Sequence, residues 1–215
     1  MPYALTFDDG PGPSMPALLD VLAAASVHAT FFVMGRNIEE PTWSPSIDRA
    51  QSRAMVLRAI AEGHEIANHS YTHTKDYSPA SADAFMREVP VVDALIRDLR
   101  REAGANPDTR ILLRLPYGEN PPDARADALR AIGRPPIHWT QLFEDWIPRD
   151  PDDLVREIIA HVAELDAAGK TANLTLHASA ESAEIGYERP WTVAAVRMFL
   201  DEATRRNWKS VPCPA

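Results

Sequence analysis

A single cysteine, Cys213, sits two residues from the C-terminus, so no internal disulfide framework is available, and nothing in its position gives it a role. No uninterrupted apolar run approaches the length of a membrane span. No basic-then-apolar leader precedes the first strand, which starts almost at Met1. As it stands the chain reads as cytoplasmic; a secreted chain trimmed of its leader would read the same way. Positive charge is in the minority, with 22 Lys and Arg against 31 Asp and Glu, and the net charge of -9 argues against nucleic acid or an anionic membrane as a partner. Internal repeats and low-complexity tracts are absent. The 215 residues, 45% hydrophobic and 25% charged, suit one soluble globular domain over 1–215 with a large core.

The organising stretch is Thr6-Phe7-Asp8-Asp9-Gly10-Pro11-Gly12-Pro13. The apolar run Tyr3–Phe7 reads as a strand that meets two adjacent carboxylates, and the Gly/Pro alternation stops it. In mid-strand Asp8 and Asp9 would face opposite ways; a turn at the strand end brings both into one cleft. Two like charges held that close resist joint ionisation unless a cation lies beside them.

Downstream, Ser14 is placed to cap a helix whose apolar positions are Met15, Leu18, Leu22 and Ala25. Ala29–Met34 is apolar on both faces, as in a parallel sheet buried under helices. Residues 36–48, polar and containing Pro41 and Pro45, read as a surface loop. A helix through Ala50, Ala54, Leu57 and Ala61 stops at Gly63, and the strand Glu65–Ala67 leads into Asn68-His69-Ser70-Tyr71-Thr72-His73. The stripe Phe85, Val89, Val92, Ile96 and Leu99 marks a long helix that Pro90 should kink or delay. A strand at Ile111–Leu113 ends in Arg114-Leu115-Pro116-Tyr117-Gly118. After a helix near 124–132, Ile137–Trp139 reads as a fifth strand, with Glu144-Asp145-Trp146 shortly beyond it. Leu154, Ile158, Val162 and Leu165 stripe a further helix; Ala172–Leu176 is strand six, ended by His177. A last helix through Val193, Val196, Leu200 and Ala203 precedes a short strand at Lys209–Val211.

Seven strands alternating with six helices make an α/β fold with parallel strands and right-handed crossovers. The alternation allows either an open doubly wound sheet or a closed barrel; the chain is short for eight β/α units, so a barrel would be distorted or incomplete. Asp8/Asp9, His69/His73, Arg114/Tyr117, Asp145/Trp146 and His177 all fall just past the C-terminal end of a strand, the edge where such folds build their sites.

His69 and His73, four apart, share one face if they lie on a helical turn. With one carboxylate of the acidic turn they form a His/His/Asp set with a fourth position open, the pattern of a catalytic zinc site. The other carboxylate is then available as a general base. Arg114 can pin it through a guanidinium fork. His177 could protonate a leaving group, with Asp145 keeping its imidazolium charged. Trp146, Leu176 and Tyr117, with Pro116 beside the last, could line an apolar floor for a small acyl group. A metal, a base, an acid and such a pocket describe hydrolysis of an amide or ester.

Thr6-Phe-Asp-Asp-Gly-Pro11, His69-Ser-Tyr-Thr-His73, Arg114-Leu-Pro-Tyr117, Asp145-Trp146 and Leu174-Thr-Leu-His177 appear in the order of the five motifs of the polysaccharide deacetylases, the NodB-homology domain of carbohydrate esterase family 4. Ala29-Thr-Phe-Phe-Val and Gly63–His69 also resemble that family, so the likeness covers essentially the whole chain. It implies a distorted (β/α) barrel and one divalent metal ion, usually zinc. It also implies removal of N- or O-acetyl groups from an acetylated sugar, oligosaccharide or polysaccharide of the chitin, peptidoglycan or xylan type. By motif match Asp8 is the base; Asp9, His69 and His73 are the metal ligands; Arg114 orients the base; the Tyr117 backbone N–H meets the oxyanion; and His177, tuned by Asp145, is the acid. The pattern is broken at Leu142 and Ala178, where the family often has Asp, and in a longer 36–52 connection. Two other readings stand beside this one. One is an amide or imide hydrolase of the same fold on a non-sugar substrate; the other, a catalytically dead carbohydrate-binding module, would have lost a base or a ligand. Few aromatic clusters read as exposed, which favours a small ligand or chain end over a crystalline polymer.

Overall fold

The structure, a computed structural model, describes residues 2–41, 47–76, 78–180 and 186–214. The central strand β1 runs Pro2–Gly10, flanked in parallel by β2 (Thr30–Val33) and β5 (Ala172–His177). Strand β3 (Glu65–Asn68) lies outside β2, β4 (Gln141–Leu142) lies outside β5, and β6 (Lys209–Ser210) pairs with the first residues of β1. Every recorded pairing is parallel, as the alternation of strands and helices requires.

Two of the expected strands are not regular strands. Ile111–Leu113 makes a single bridge, Leu113 to Asn68, and Ile137–Trp139 has no ladder of its own. Pro116 closes the first stretch, and Pro135 and Pro136 precede the second, removing the donors a longer ladder would use. These stretches still act as staves. Ile137 N–H donates to Leu113 O, and Thr140 N–H donates to Asn173 O at the start of β5. Residues 137–142 thereby cross from the β3 side to the β5 side and close the distorted barrel.

Strand alternation sorts the core. Phe7, Phe31, Ile66, Leu174 and Leu176 face outward into the main apolar cluster under the helices. Phe32, Ala67, Leu112, Ile137 and Cys213 form a second cluster. Above it lies Arg114, fully buried, with its guanidinium 4.0 Å from the Phe32 ring centroid and 5.7 Å from that of Trp139.

The helices are α1 (Met15–Ala25), α2 (Gly35–Glu39), α3 (Arg49–Ala61), α4 (Pro79–Glu102), α5 (Ala124–Ala131), α6 (Pro151–Ala167) and α7 (Pro190–Arg205). The short α2 stands where a surface loop is expected. Its Asn37 and Ile38 are buried, so the segment is held as a helical turn despite its polarity; Pro45 lies outside the described residues. Ser14 does not cap α1 with its side chain, because its Oγ accepts the Arg189 N–H instead. Helix α4 is neither delayed nor ended by Pro90, which lies on its exposed face, and the stripe Phe85, Val89, Val92, Ile96 and Leu99 is buried throughout.

Candidate active site

The two carboxylates reach one cleft by a local irregularity in β1. Its register against β2 slips between Phe7 and Gly10, and Asp9 adopts a left-handed backbone, φ 64°. Asn37 of α2 fixes that irregularity, donating through Nδ2 to Asp9 O at 2.8 Å and to Ala180 O at 3.2 Å.

His69 and His73 are not on a helical turn. They occupy an irregular segment after β3 in which Ser70 and His73 are left-handed, with φ 67° and 59°. Asn68 Oδ1 accepts the Ser70 N–H at 2.8 Å and Ser70 Oγ accepts the His73 N–H at 3.1 Å, folding the chain back on itself. The two rings meet at 4.9 Å between centroids. Non-glycine residues in this region cost roughly 1–3 kcal/mol each and persist where surrounding structure holds them, as at functional sites.

Asp9, His69 and His73 offer one ligand atom each, all buried and all within 4.8 Å of one another. His69 Nδ1 lies 2.9 Å from Arg114 O. A carbonyl only accepts, so Nδ1 carries the proton and Nε2 presents a bare lone pair. That Nε2 is 3.2 Å from His73 Nε2 and 3.5 Å from Asp9 Oδ1. His73 Nε2 lies 3.1 Å from Asp9 Oδ1, yet no donor is aimed at this buried oxygen among the described residues. Burial works against charge on Asp9, but the histidine charges, His73 foremost, hold its carboxyl well below the usual carboxylate range. Burial pushes the His69 imidazole down to about 4, against the pull of the Asp8 and Asp9 carboxylates. A carboxylate and two imidazole nitrogens converging within 4.8 Å of one another fit a divalent cation.

Asp8 sits beside this set and belongs to a different network. Arg114 does not fork onto the carboxylate as expected: Nη1 alone donates to Asp8 Oδ1 and also to Thr6 Oγ1, both at 2.7 Å, while Asp8 Oδ2 lies 3.7 Å from His69 Nε2. In the β1/β5 register Asp8 stands opposite His177. His177 Nδ1 is 2.6 Å from Asp145 Oδ1. Asp145 is fully buried, and its Oδ2 accepts the His177 backbone N–H at 2.9 Å and the Thr192 hydroxyl at 2.7 Å. Burial alone would lower the His177 pKa; the Asp145 charge and hydrogen bond, helped by Asp9 and Asp8, outweigh it and push the imidazole up to about 9.

A cavity of about 350 Å³ opens over these groups, walled by Leu115, Tyr117, Trp139, Leu142 and Trp146. Tyr117 and Trp146 thus stand where an acyl pocket needs them, the Trp146 ring edge-on to His177 at 5.5 Å. Leu176 and Pro116 do not line the cavity. Leu176 points to the helix side of β5, one residue out of phase with His177, and Pro116 is buried behind the Tyr117 turn. Trp139, Leu115 and Lys75 line it without being singled out by the sequence reading. Of these, Trp139 packs on Gly118, where an added Cβ would lie 2.6 Å from the indole, a contact that only the fold brings about.

A model of the polysaccharide deacetylase family matches residues 2–134, which include Asp8, Asp9, His69, His73 and Arg114. A chitooligosaccharide deacetylase of a Bradyrhizobium strain is 31% identical over 216 residues, an alignment spanning 98% of this chain and 88% of that protein. A peptidoglycan-N-acetylglucosamine deacetylase of Listeria monocytogenes is 30% identical over 158 residues, covering 73% of this chain and 29% of that larger protein. Among solved structures, the catalytic domain of a peptidoglycan N-acetylglucosamine deacetylase from Eubacterium rectale matches the fold with a TM-score of 0.73 at 21% identity, over 100% of this chain and 89% of that one.

Proposed function

The chain belongs to the polysaccharide deacetylase family, and we propose from that membership that it hydrolyses the N-acetyl group of an acetylated amino sugar in an oligosaccharide or glycan chain. The observation that carries the reading is the separation of roles at the cleft floor. One carboxylate, Asp9, faces two imidazoles, while its neighbour Asp8 is held by Arg114 and stands opposite a charged His177. A divalent cation, zinc by donor set, fits Asp9, His69 and His73 and when bound supplies the positive charge that polarises an acyl carbonyl and acidifies a water.

The remaining steps belong to the side chains. Asp8 accepts a proton from the attacking water, and Arg114 holds that carboxylate in place. The Tyr117 backbone N–H, the oxyanion donor that the motif match implies, meets the carbonyl oxygen as it gains charge. His177, protonated on both ring nitrogens, delivers its Nε2 proton to the sugar nitrogen as the carbon–nitrogen bond breaks, and Asp145 holds Nδ1–H so that the ring presents Nε2. Trp146, Leu142 and Leu115 form apolar walls suited to the acetyl methyl and to excluding bulk water. The test is acetate release from N-acetylated chito-oligosaccharides and peptidoglycan fragments, before and after chelation and after zinc is restored. Release that stops on chelation and returns with zinc is expected. No release from any acetylated amino sugar, or full activity in metal-free protein, would overturn the reading.

A further inference from the structure

Arg125, on the first turn of α5, is fully buried. Its Nε and Nη2 hold the two oxygens of Asp123, at 3.0 and 2.7 Å. A buried ion pair is by itself weak evidence for stability, because desolvation offsets the attraction. What the rest of the guanidinium does is more informative. Nη1 donates to Pro116 O at 3.3 Å and Nη2 to Gly118 O at 3.2 Å, the carbonyls on either side of Tyr117. Nη1 also lies 3.5 Å from Thr74 O, next to His73, at the outer limit of a hydrogen bond.

The Pro116 carbonyl and the Tyr117 N–H belong to one planar peptide unit and point in opposite directions. A donor that captures the carbonyl therefore sets where the N–H aims. Tyr117 needs such a hold, since its backbone is left-handed at φ 59° and the turn is otherwise closed by Gly118 N–H to Leu115 O at 3.0 Å. The captor is also a cation in a dry environment. Drawing electron density toward the carbonyl oxygen makes the N–H of the same peptide a stronger donor.

We infer that Arg125 is a positioning residue for the reaction: by gripping the Pro116 and Gly118 carbonyls it directs and polarises the Tyr117 N–H toward the oxyanion. The inference rests on the deacetylase reading above. Asp123 fits the same role, because it neutralises the guanidinium and also caps α5 through the Arg125 N–H at 3.0 Å.

The experiment compares wild type, Arg125→Lys and the double variant Asp123→Asn/Arg125→Met on triacetylchitotriose and on 4-nitrophenyl acetate, with zinc content measured for each. Lysine keeps a buried cation beside Asp123 but cannot serve the carboxylate and both carbonyls at once. The double variant leaves no buried charge and keeps a capping side chain, which covers the case in which the lysine variant fails to fold. In whichever variant folds, kcat should fall about 10–100-fold, with KM and zinc content near wild type. The loss should be equal on amide and ester, since both pass through an oxyanion. Wild-type kcat in either folded variant, a loss confined to the amide, or a loss matched by lost zinc would overturn the inference. If wild type cleaves the ester and leaves the sugar untouched, the sugar reading fails, and the ester arm still decides the role of Arg125.

Discussion

Replacing Asp145 by Asn tests the acid half of the site, and the structure fixes which way the amide must sit. Oδ2 of Asp145 accepts from the His177 backbone N–H and from the Thr192 hydroxyl. A backbone N–H cannot accept, so the amide oxygen must stay on that side and the NH2 must face His177 Nδ1. The imidazole then loses its Nδ1 proton and becomes the neutral Nε2–H tautomer. In wild type the pKa of His177 is raised to about 9, so the ring is roughly nine-tenths charged at pH 8. A cation beside Asp9 cancels that carboxylate's smaller share and brings the wild-type value somewhat under 9. With Asp145 neutralised, burial acts largely unopposed and the value falls to or below the ordinary histidine value of about 6.5, leaving about 3% charged at pH 8. The sign follows from the charged form being the competent one: activity is lost as pH rises through the folded-state pKa, so a lower pKa moves the alkaline limb to lower pH. Turnover of an N-acetyl sugar at pH 8 should drop about 25–30-fold or more, and the alkaline limb should move down by about two pH units or more. The assay is initial acetate release between pH 6 and 10 for wild type and Asp145→Asn, on one amide and one activated ester. An alkaline limb that stays in place in the variant would refute the argument.

Three further outcomes follow from the same geometry. His177→Ala should cut turnover of amides by about 10²–10⁴-fold and of 4-nitrophenyl acetate far less, because nitrophenolate leaves without protonation; equal losses on both substrates would assign His177 a structural role. Asp8→Asn should keep zinc while losing about 10²–10⁴-fold in kcat, whereas Asp9→Asn should weaken zinc binding, as read by metal analysis after dialysis against a graded chelator. Asn37→Ala leaves the carbonyls of Asp9 and Ala180 without their donor, so about 1–3 kcal/mol of stability and several degrees in Tm should be lost, with weaker zinc retention as the Asp9 bulge slackens. An unchanged thermal midpoint and zinc content would remove Asn37 from the site's support.

The residues that act on chemistry were legible in the sequence because each pair is local: Asp8 next to Asp9, His69 four before His73, Arg114 three before Tyr117. Their placement at strand ends needed only the position of each apolar run. What the sequence could not display are contacts between distant segments. Asn37 reads as a loop polar residue until it is seen bridging Asp9 and Ala180, 143 residues beyond it. Arg125 looks like one more surface charge on a short helix until its carbonyl partners are known. Periodicity found β1, β2, β3 and β5, whose side chains are buried on both faces, but overstated Ile111–Leu113, which is buried without a regular ladder, and Ile137–Trp139, where Ile137 is buried and His138 is exposed. The helical reading of His69–His73 failed for a related reason. Spacing of four is helical only if the backbone is, and here Asn68 and Ser70 side chains bend the segment away from a helix.

The pairing of β6 with the start of β1 bears on how the domain can be attached to something else. Pro2 lies opposite Lys209 and Tyr3 opposite Ser210, and both strands run in parallel toward the edge that carries Asp8 and Asp9. The described chain therefore begins and ends at the floor of the barrel, with Cys213 packed against the inner cluster. A fusion partner, a purification tag or a solid support joined at either end hangs beneath the barrel, and the mouth of the cleft faces away from it. Immobilised or spliced into a larger polypeptide, the domain presents its cleft outward.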